Sequence, residues 1–115
     1  QALCALTASV YMAAMGADGM KEAATQSTSK AHYLMDALKK AGLKPMFSGE
    51  FFNEFITDCP CGSDKLLDAL AEKGILGGLP LTENVVLWCT TEMNTKEEMD
   101  QVASIVAALI SGKEA

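Results

Sequence analysis

The chain has 115 residues, a formal net charge of −6 and a sequence pI near 4.6. This length suits one domain with a single core and is shorter than a cofactor-dependent enzyme usually needs. The acidic balance argues against nucleic acid or an anionic membrane as the principal partner.

The first segment, residues 1–17, contains no charged side chain and is rich in alanine. A secretory signal would carry positive charges before its apolar core, and a membrane span would need about 20 strongly apolar residues. We therefore predict a helix that is buried on most sides and links this domain to a large domain outside the 115 residues. Because the chain begins at Gln1, we expect it to be a piece of a longer protein.

A break at Gly16 and Gly19 is predicted to precede a long helix over residues 19–41. Gly42 is expected to cap this helix in a left-handed conformation. His32 lies beside the buried stripe, and a single histidine without a second one nearby indicates packing rather than catalysis. The stripe itself is made mostly of small residues at spacings of three and four: Met20, Ala24, Ser27, Ala31, Leu34, Leu38 and Ala41.

The segment 51–59, FFNEFITDC, is predicted to be a central strand that pairs antiparallel with an edge strand over residues 43–47. Side chains alternate along a strand, so each face carries apolar residues and one polar group, Asn53 on one face and Glu54 on the other. This pattern indicates that both faces are covered. The alternative is an edge strand with a solvated Glu54.

A second helix is predicted to start with Ser63 as its N-cap and to end at Lys73 and Gly74. The following segment, GILGGLPL, holds Gly74, Gly77 and Gly78, and such glycines mark a close approach of the backbone to another backbone or to a ligand. A phosphate loop would lead directly into a helix, whereas this segment leads to Pro80 and a further strand.

The run NVVLWCT, residues 84–90, is predicted to be a second central strand, and Thr95 with Glu98 forms a capping box for the last helix. The elements together predict an α+β fold with a mainly antiparallel sheet of three or four strands and helices on one face. The other sheet face has no cover in this sequence, so we expect a partner or a missing domain there.

The four cysteines show no CxxC pair and no zinc-ligand spacing. Cys59 and Cys61, two residues apart, could bind a soft metal, but a reduced pair without metal is the interpretation that the sequence favours. Free thiols and the lack of a signal peptide indicate a cytoplasmic protein.

Several motifs, in order and spacing, resemble one family across essentially all 115 residues. They are QAL at the start of the alanine-rich helix, KAHYL from Lys30, FFNEF from Phe51, KGILGGLPL from Lys73 and TKEEMD from Thr95. The chain resembles the C-terminal region of subunit 1 in the glycine dehydrogenase (decarboxylating) family, the P-proteins of the glycine cleavage system. FFNEF and KGILGGLPL are the specific parts of this match.

The resemblance implies the small C-terminal domain of a fold type I pyridoxal-phosphate enzyme. Such an enzyme decarboxylates glycine and passes the aminomethyl group to the lipoyl arm of the H-protein, and its cofactor acts as the electron sink. The implied partners are the chain's own large domain, subunit 2 and the H-protein. The lysine that anchors the cofactor is expected on subunit 2, so we assign no catalytic, cofactor-binding or metal-binding residue to this chain, which is expected to be inactive alone.

Two other classes of function stay open. One is the small domain of another fold type I pyridoxal-phosphate enzyme, such as an aminotransferase, which would be expected to carry an arginine for the substrate carboxylate, and this chain contains none. A free-standing ferredoxin-like binding module would need its N-terminal helix covered without a partner. We hypothesise that the candidate interface or pocket residues, Asn53, Glu54, Gly74, Gly77 and Gly78, lie where the small domain meets the large domain or the partner subunit.

Overall fold

The computed structural model describes residues 1–112, which form an α+β domain of three helices and one three-stranded antiparallel sheet. The strand order β1-β3-β2 places the last strand in the centre. The elements are α1 (Ala2–Ala41), β1 (Glu54–Asp58), α2 (Ser63–Glu72), β2 (Leu79–Thr82), β3 (Val85–Cys89) and α3 (Lys96–Ile110).

The core lies between one sheet face and all three helices, which confirms the predicted layering. Trp88 is the largest strand residue in the core, and its indole N–H donates to the hydroxyl of buried Thr57 at 2.9 Å. The opposite sheet face is only partly covered by the described residues. There Leu87 has Ile56 and Leu79 as its cross-strand neighbours, and Leu79 is exposed.

Helix α1 consists of two arms that meet at Gly16. This residue has φ 64° and ψ −178°, a conformation open to glycine and unfavourable for other residues, so the predicted break is confirmed there, whereas Gly19 is helical. Gly42 caps the second arm with φ 114°, and the Leu43 N–H donates to the Leu38 carbonyl at 3.1 Å. This is the predicted C-terminal cap.

The buried stripe of α1 is shorter than predicted. Ser27, Ala31, Leu34 and Leu38 are buried, but Met20 and Ala24 are exposed. The domain core therefore begins near Ser27. We name the arm before Gly16, residues 2–15, the apolar arm, since its large apolar side chains are exposed: Leu3, Leu6, Val10, Tyr11 and Met12.

The predicted central strand 51–59 is in fact the short edge strand β1, and the alternative with a solvated Glu54 is correct. The prediction was wrong because Phe52 precedes the strand and is exposed, whereas Phe51, which also precedes it, packs against Phe55 on the core face. Without Phe52, Ile56 is the one aliphatic side chain on the face of Glu54, so nothing requires that face to be covered.

The predicted strand over residues 43–47 is reduced to a single bridge between Pro45 and Thr57. Its antiparallel direction is as predicted, since the Met46 N–H donates to Ile56 O and the Asp58 N–H donates to Lys44 O. The Lys44 N–H donates to the side-chain carboxylate of Asp58 at 2.5 Å and not to its backbone carbonyl, so the ladder ends at this bridge.

Helix α2 does not use Ser63 as its N-cap, contrary to the prediction. Gly62 occupies the cap position, and the Ser63 hydroxyl donates instead to the carbonyl of Thr82 at 2.7 Å. Ser63 is buried at the end of β2, so its hydroxyl satisfies a strand carbonyl.

Helix α3 begins with the predicted capping box. Glu98 N–H donates to the Thr95 hydroxyl, while the Thr95 N–H donates to the Glu98 carboxylate. A hydrogen bond from the Tyr33 hydroxyl to the Asp100 carboxylate connects α1 and α3. The inner face of α3 contributes Met99, Val102, Ile105 and Val106 to the core.

Candidate functional site

A cleft of about 240 Å³ lies between the glycine loop, the end of β3 and the first turns of α3. The glycine loop, residues 74–78, forms one wall. The opposite walls come from three sets of residues: Trp88, Cys89 and Thr90 at the strand end, Asn94 in the loop, and Glu98, Met99 and Val102 on α3. Leu34 of α1 closes the floor.

Gly78 explains how the glycine loop reaches its place. A Cβ atom at this position would collide with the carbonyl oxygen of Leu87 and with the side chain of Val86. The predicted close approach of backbone to backbone is therefore confirmed at Gly78, and its partner is the central strand. The loop then continues into β2 rather than into a helix, so it lacks the helix N-terminus that a phosphate loop requires.

Glycine occupies positions 74 and 77 for two different reasons. Gly74 adopts φ 75° directly after α2, and the Ile75 N–H donates to the Leu70 carbonyl at 3.0 Å. At Gly77 a Cβ atom would meet the tips of Leu67 and Leu70, which are flexible side chains. Gly74 is thus needed for the helix end, whereas Gly77 permits close packing against α2.

Asn53 lies at the rim of the cleft and is held by the backbone of Thr90. Its side-chain amide donates to Thr90 O at 3.1 Å, and the Thr90 N–H donates to Asn53 O at 3.1 Å. These two hydrogen bonds fix the position of Asn53.

Glu54 is exposed, so the predicted buried carboxylate is wrong for this domain. It lies opposite Cys89 in the strand register. Burial, and after it the nearby Glu54 carboxylate, raises the pKa of the Cys89 thiol. Asn53, Glu54 and the three glycines thus surround the same end of the sheet, although they come from two separate stretches of sequence.

Several residues of the cleft lining were not predicted as site residues. Cys89 and Thr90 stand at the end of the predicted strand 84–90, and their place beside a glycine loop was the signal that could have identified them. Asn94 and Glu98 could not be identified in this way, because their visible roles are local: Asn94 accepts from the Thr91 N–H, and Glu98 accepts from the Thr95 N–H. The cleft polar groups therefore already have partners within the domain.

The lining of the described cleft offers no group that could anchor pyridoxal phosphate. The cleft lining contains neither lysine nor arginine, so it offers no amine for an imine and no cation for a phosphate. Lys30 is half-buried, but its ammonium donates to the carbonyl of Glu92 at 2.5 Å. Lys113 lies outside the described residues.

His32 packs and does not approach the cleft lining. Its ring stacks on Phe51 with centroids 4.2 Å apart, and Nδ1 lies 2.8 Å from the Thr28 carbonyl, to which it donates. Within residues 1–112, no group of three or more His, Cys, Asp or Glu side chains is arranged to hold a metal ion.

One described helix, α1, is long and apolar enough to cross a membrane by length and composition, with a mean hydropathy of 1.2 over its best window. The break at Gly16 divides that window. The apolar arm would span only about 21 Å as a helix, whereas a bilayer core is about 30 Å thick.

Comparison with known proteins gives one consistent result. The family model described as "Glycine cleavage system P-protein" matches residues 1–106. A relative from Thermotoga maritima, "Probable glycine dehydrogenase (decarboxylating) subunit 1", is 44% identical over 85% of this chain and 24% of its own length. A Bacillus thuringiensis relative of the same name is 43% identical over 95% of this chain and 26% of its own length.

Solved structures share the fold. A crystal structure of glycine decarboxylase (P-protein) of the glycine cleavage system, in inhibitor-bound form, matches with a TM-score of 0.80 and 31% identity over 87% of this chain and 24% of that one. A NifS-like protein matches with a TM-score of 0.69 and 16% identity over 83% of this chain and 30% of that one, which concerns the fold alone. These matches confirm the predicted α+β fold class. The chain spans about a quarter of the length of the curated relatives it matches, and it belongs to the glycine cleavage system P-protein family.

Proposed function

We propose that residues 1–115 are the C-terminal small domain of subunit 1 of a glycine dehydrogenase (decarboxylating), located in the cytoplasm. The observation that carries this proposal is the 43% identity over 95% of this chain to a subunit 1 relative. In this proposal residues 1–17 link the domain to a large domain elsewhere in the same subunit. The apolar arm then packs against protein rather than lipid, which its length favours.

The complete enzyme would decarboxylate glycine and transfer the aminomethyl group to the lipoyl arm of the H-protein. Pyridoxal phosphate would supply the electron sink for this reaction. We place its anchoring lysine on subunit 2, and the absence of lysine from the lining of the described cleft supports this choice. In this proposal the small domain contributes contacts to the other parts of the enzyme and no group that reacts with the substrate.

We further propose that Asn53, Glu54, Gly74, Gly77 and Gly78 contact the large domain or subunit 2. The location of these five residues at one end of the sheet supports a common interface. At this end the Glu54 carboxylate is exposed and the cleft is open to a partner. A contact that buries Glu54 must supply a cation or hydrogen-bond donors, since an unpaired buried carboxylate is unfavourable.

The test uses the full-length polypeptide that carries this chain, together with subunit 2 and lipoylated H-protein. We expect labelled bicarbonate to exchange into the carboxyl group of glycine when all components are present. Loss of exchange on omission of subunit 1 supports the function, and no exchange from the complete mixture would overturn it.

The interface is tested separately by Glu54→Gln, which should weaken subunit assembly or exchange more than about two-fold, beyond the usual effect of a surface change. Glu83→Gln is the matched control, because Glu83 is also exposed and lies at the β2–β3 turn. If both variants equal the wild type in assembly, exchange and thermal stability, Glu54 has no interface role, whereas the assigned reaction is unaffected.

A second prediction concerns the cofactor. Mixed with pyridoxal phosphate and then with borohydride, the isolated chain should retain no cofactor at a specific lysine, because no described cleft residue is an amine. Absorption spectra and peptide mapping provide the measurement, with subunit 2 as the positive control. Stoichiometric labelling of one lysine in this chain would contradict the prediction.

A further inference from the structure

Two thiols that the proposed function does not use meet at the junction of β1 and α2. The Sγ atoms of Cys59 and Cys61 are 3.6 Å apart. Cys59 is fully buried in the core, whereas Cys61 is half-buried at its edge. The two thiols therefore differ in access while they remain in contact.

The turn that holds them is fixed at both ends. The Gly62 N–H donates to the Cys59 carbonyl at 3.0 Å, which closes the turn around Pro60. The Cys59 N–H donates to Asn84 O at 2.7 Å, and the Ser63 N–H donates to Glu83 O at 2.8 Å. These hydrogen bonds hold the backbone of the turn in place, and the fixed backbone brings the two sulfur atoms into contact.

Their reactivities should differ as their exposure does. Burial first, and then the hydrogen bond with Cys61, raise the pKa of the Cys59 thiol to about 12. Cys59 therefore stays protonated near neutral pH and is a poor first nucleophile. Cys61 is half-buried and directly precedes Gly62, the N-cap of α2, so a reagent in solution reaches its sulfur before that of Cys59.

We propose that Cys59 and Cys61 form a reversible dithiol site, which small-molecule disulfides oxidise to a disulfide within this turn. In the first step the Cys61 thiolate attacks one sulfur of the reagent RSSR, forming a mixed disulfide and releasing RS⁻. In the second step the Cys59 sulfur attacks the Cys61 sulfur, and the departing RS⁻ takes the Cys59 proton and leaves as RSH. The two protein thiols are oxidised by two electrons, and RSSR is reduced to two RSH.

Two features make this site reversible rather than structural. The ring closed by the bond contains three residues, so it removes little chain entropy from the unfolded state and adds little stability. Formation of the mixed disulfide also removes the Cys61 thiol, whose hydrogen bond and charge contribute to the raised pKa of Cys59. The second step is therefore easier than a direct attack by Cys59 on the reagent.

The experiment titrates the full-length polypeptide with glutathione disulfide and reduced glutathione, followed by alkylation and tryptic mapping. Both thiols fall in the peptide 41–65, while Cys4 and Cys89, which are exposed, lie in other peptides and report general oxidation. We expect peptide 41–65 to become lighter by two hydrogen atoms and resistant to alkylation, and dithiothreitol to reverse the change. Oxidation of Cys4 and Cys89 with peptide 41–65 still fully alkylated would overturn the proposal.

Single variants test the order of steps. Cys59→Ser should accumulate a stable glutathione adduct on Cys61, and Cys59→Ala provides the same test if a buried serine prevents folding. In Cys61→Ser, glutathionylation of Cys59 should be at least about ten-fold slower than that of Cys61 in the Cys59 variants. A near-ultraviolet circular dichroism spectrum equal to that of the wild type verifies folding, and equal rates at the two positions in folded variants would refute the assignment.

Discussion

Replacing Gly78 with alanine should lower the free energy of unfolding by roughly 3 kcal/mol, the upper range for added volume in a packed site. The new Cβ would lie against the Leu87 carbonyl oxygen and the Val86 side chain. Leu87 belongs to the central strand, so its backbone cannot move away without disturbing the pairing on both sides. Urea unfolding followed by the fluorescence of Trp88, the single tryptophan, measures the effect.

Gly49→Ala is the matched control for this substitution. No heavy atom lies within 4 Å of a Cβ built at Gly49, so its effect should stay within about 0.5 kcal/mol. An unfolding midpoint for Gly78→Ala equal to that of the wild type would show that the glycine loop can move away from β3. The cleft would then be a flexible gap instead of a wall fixed by backbone contact.

The isolated chain should self-associate through its apolar arm and the partly covered sheet face. Leu3 is 75% exposed and Val10 is 61% exposed, and a soluble monomer rarely leaves such a continuous apolar surface uncovered. Light scattering across a dilution series should show a mass that rises with concentration. Paired substitutions Leu6→Glu and Val10→Glu should weaken association by at least about ten-fold, because each buried aliphatic side chain is worth about 1.5–3 kcal/mol.

Met93→Glu is the control for the added charge. Met93 is 78% exposed but lies in the loop before α3, outside the apolar arm, so this variant should associate as the wild type does. A monomer at every concentration would contradict the prediction. Equal weakening by Met93→Glu would assign association to general surface hydrophobicity rather than to the arm.

The helix ends could be predicted because their signals are local. Gly42 and the Thr95–Glu98 capping box act within a few residues of the backbone groups they satisfy, and both were found where predicted. The predicted N-cap at Ser63 was wrong because its hydroxyl donates to the carbonyl of Thr82, a strand residue distant in sequence. A cap motif in sequence thus competes with tertiary partners that the sequence does not display.

The edge position of β1 could not be predicted from its own residues. It follows from the insertion of β3 between β1 and β2, which is a property of chain topology. The cleft, too, could be predicted only in part from local sequence. The glycines indicated a close approach, but the identity of the approached atom, the Leu87 carbonyl oxygen, depends on pairing between separate strands. Asn94 also lines the cleft, although the one hydrogen bond that it accepts, from the Thr91 N–H, is local.

The break at Gly16 separates the apolar arm from the rest of α1, and we expect the arm to unfold independently of the core. No residue before Ser27 is fully buried, so the arm gains no protection from the core when the domain is folded. A helix of the length of residues 2–15 is only marginally stable by itself in water. Its amide hydrogens should therefore exchange with solvent through local fraying, whereas those of β3 exchange only when the whole core opens. In the complete subunit, protection of these amides would report directly how tightly the arm is held.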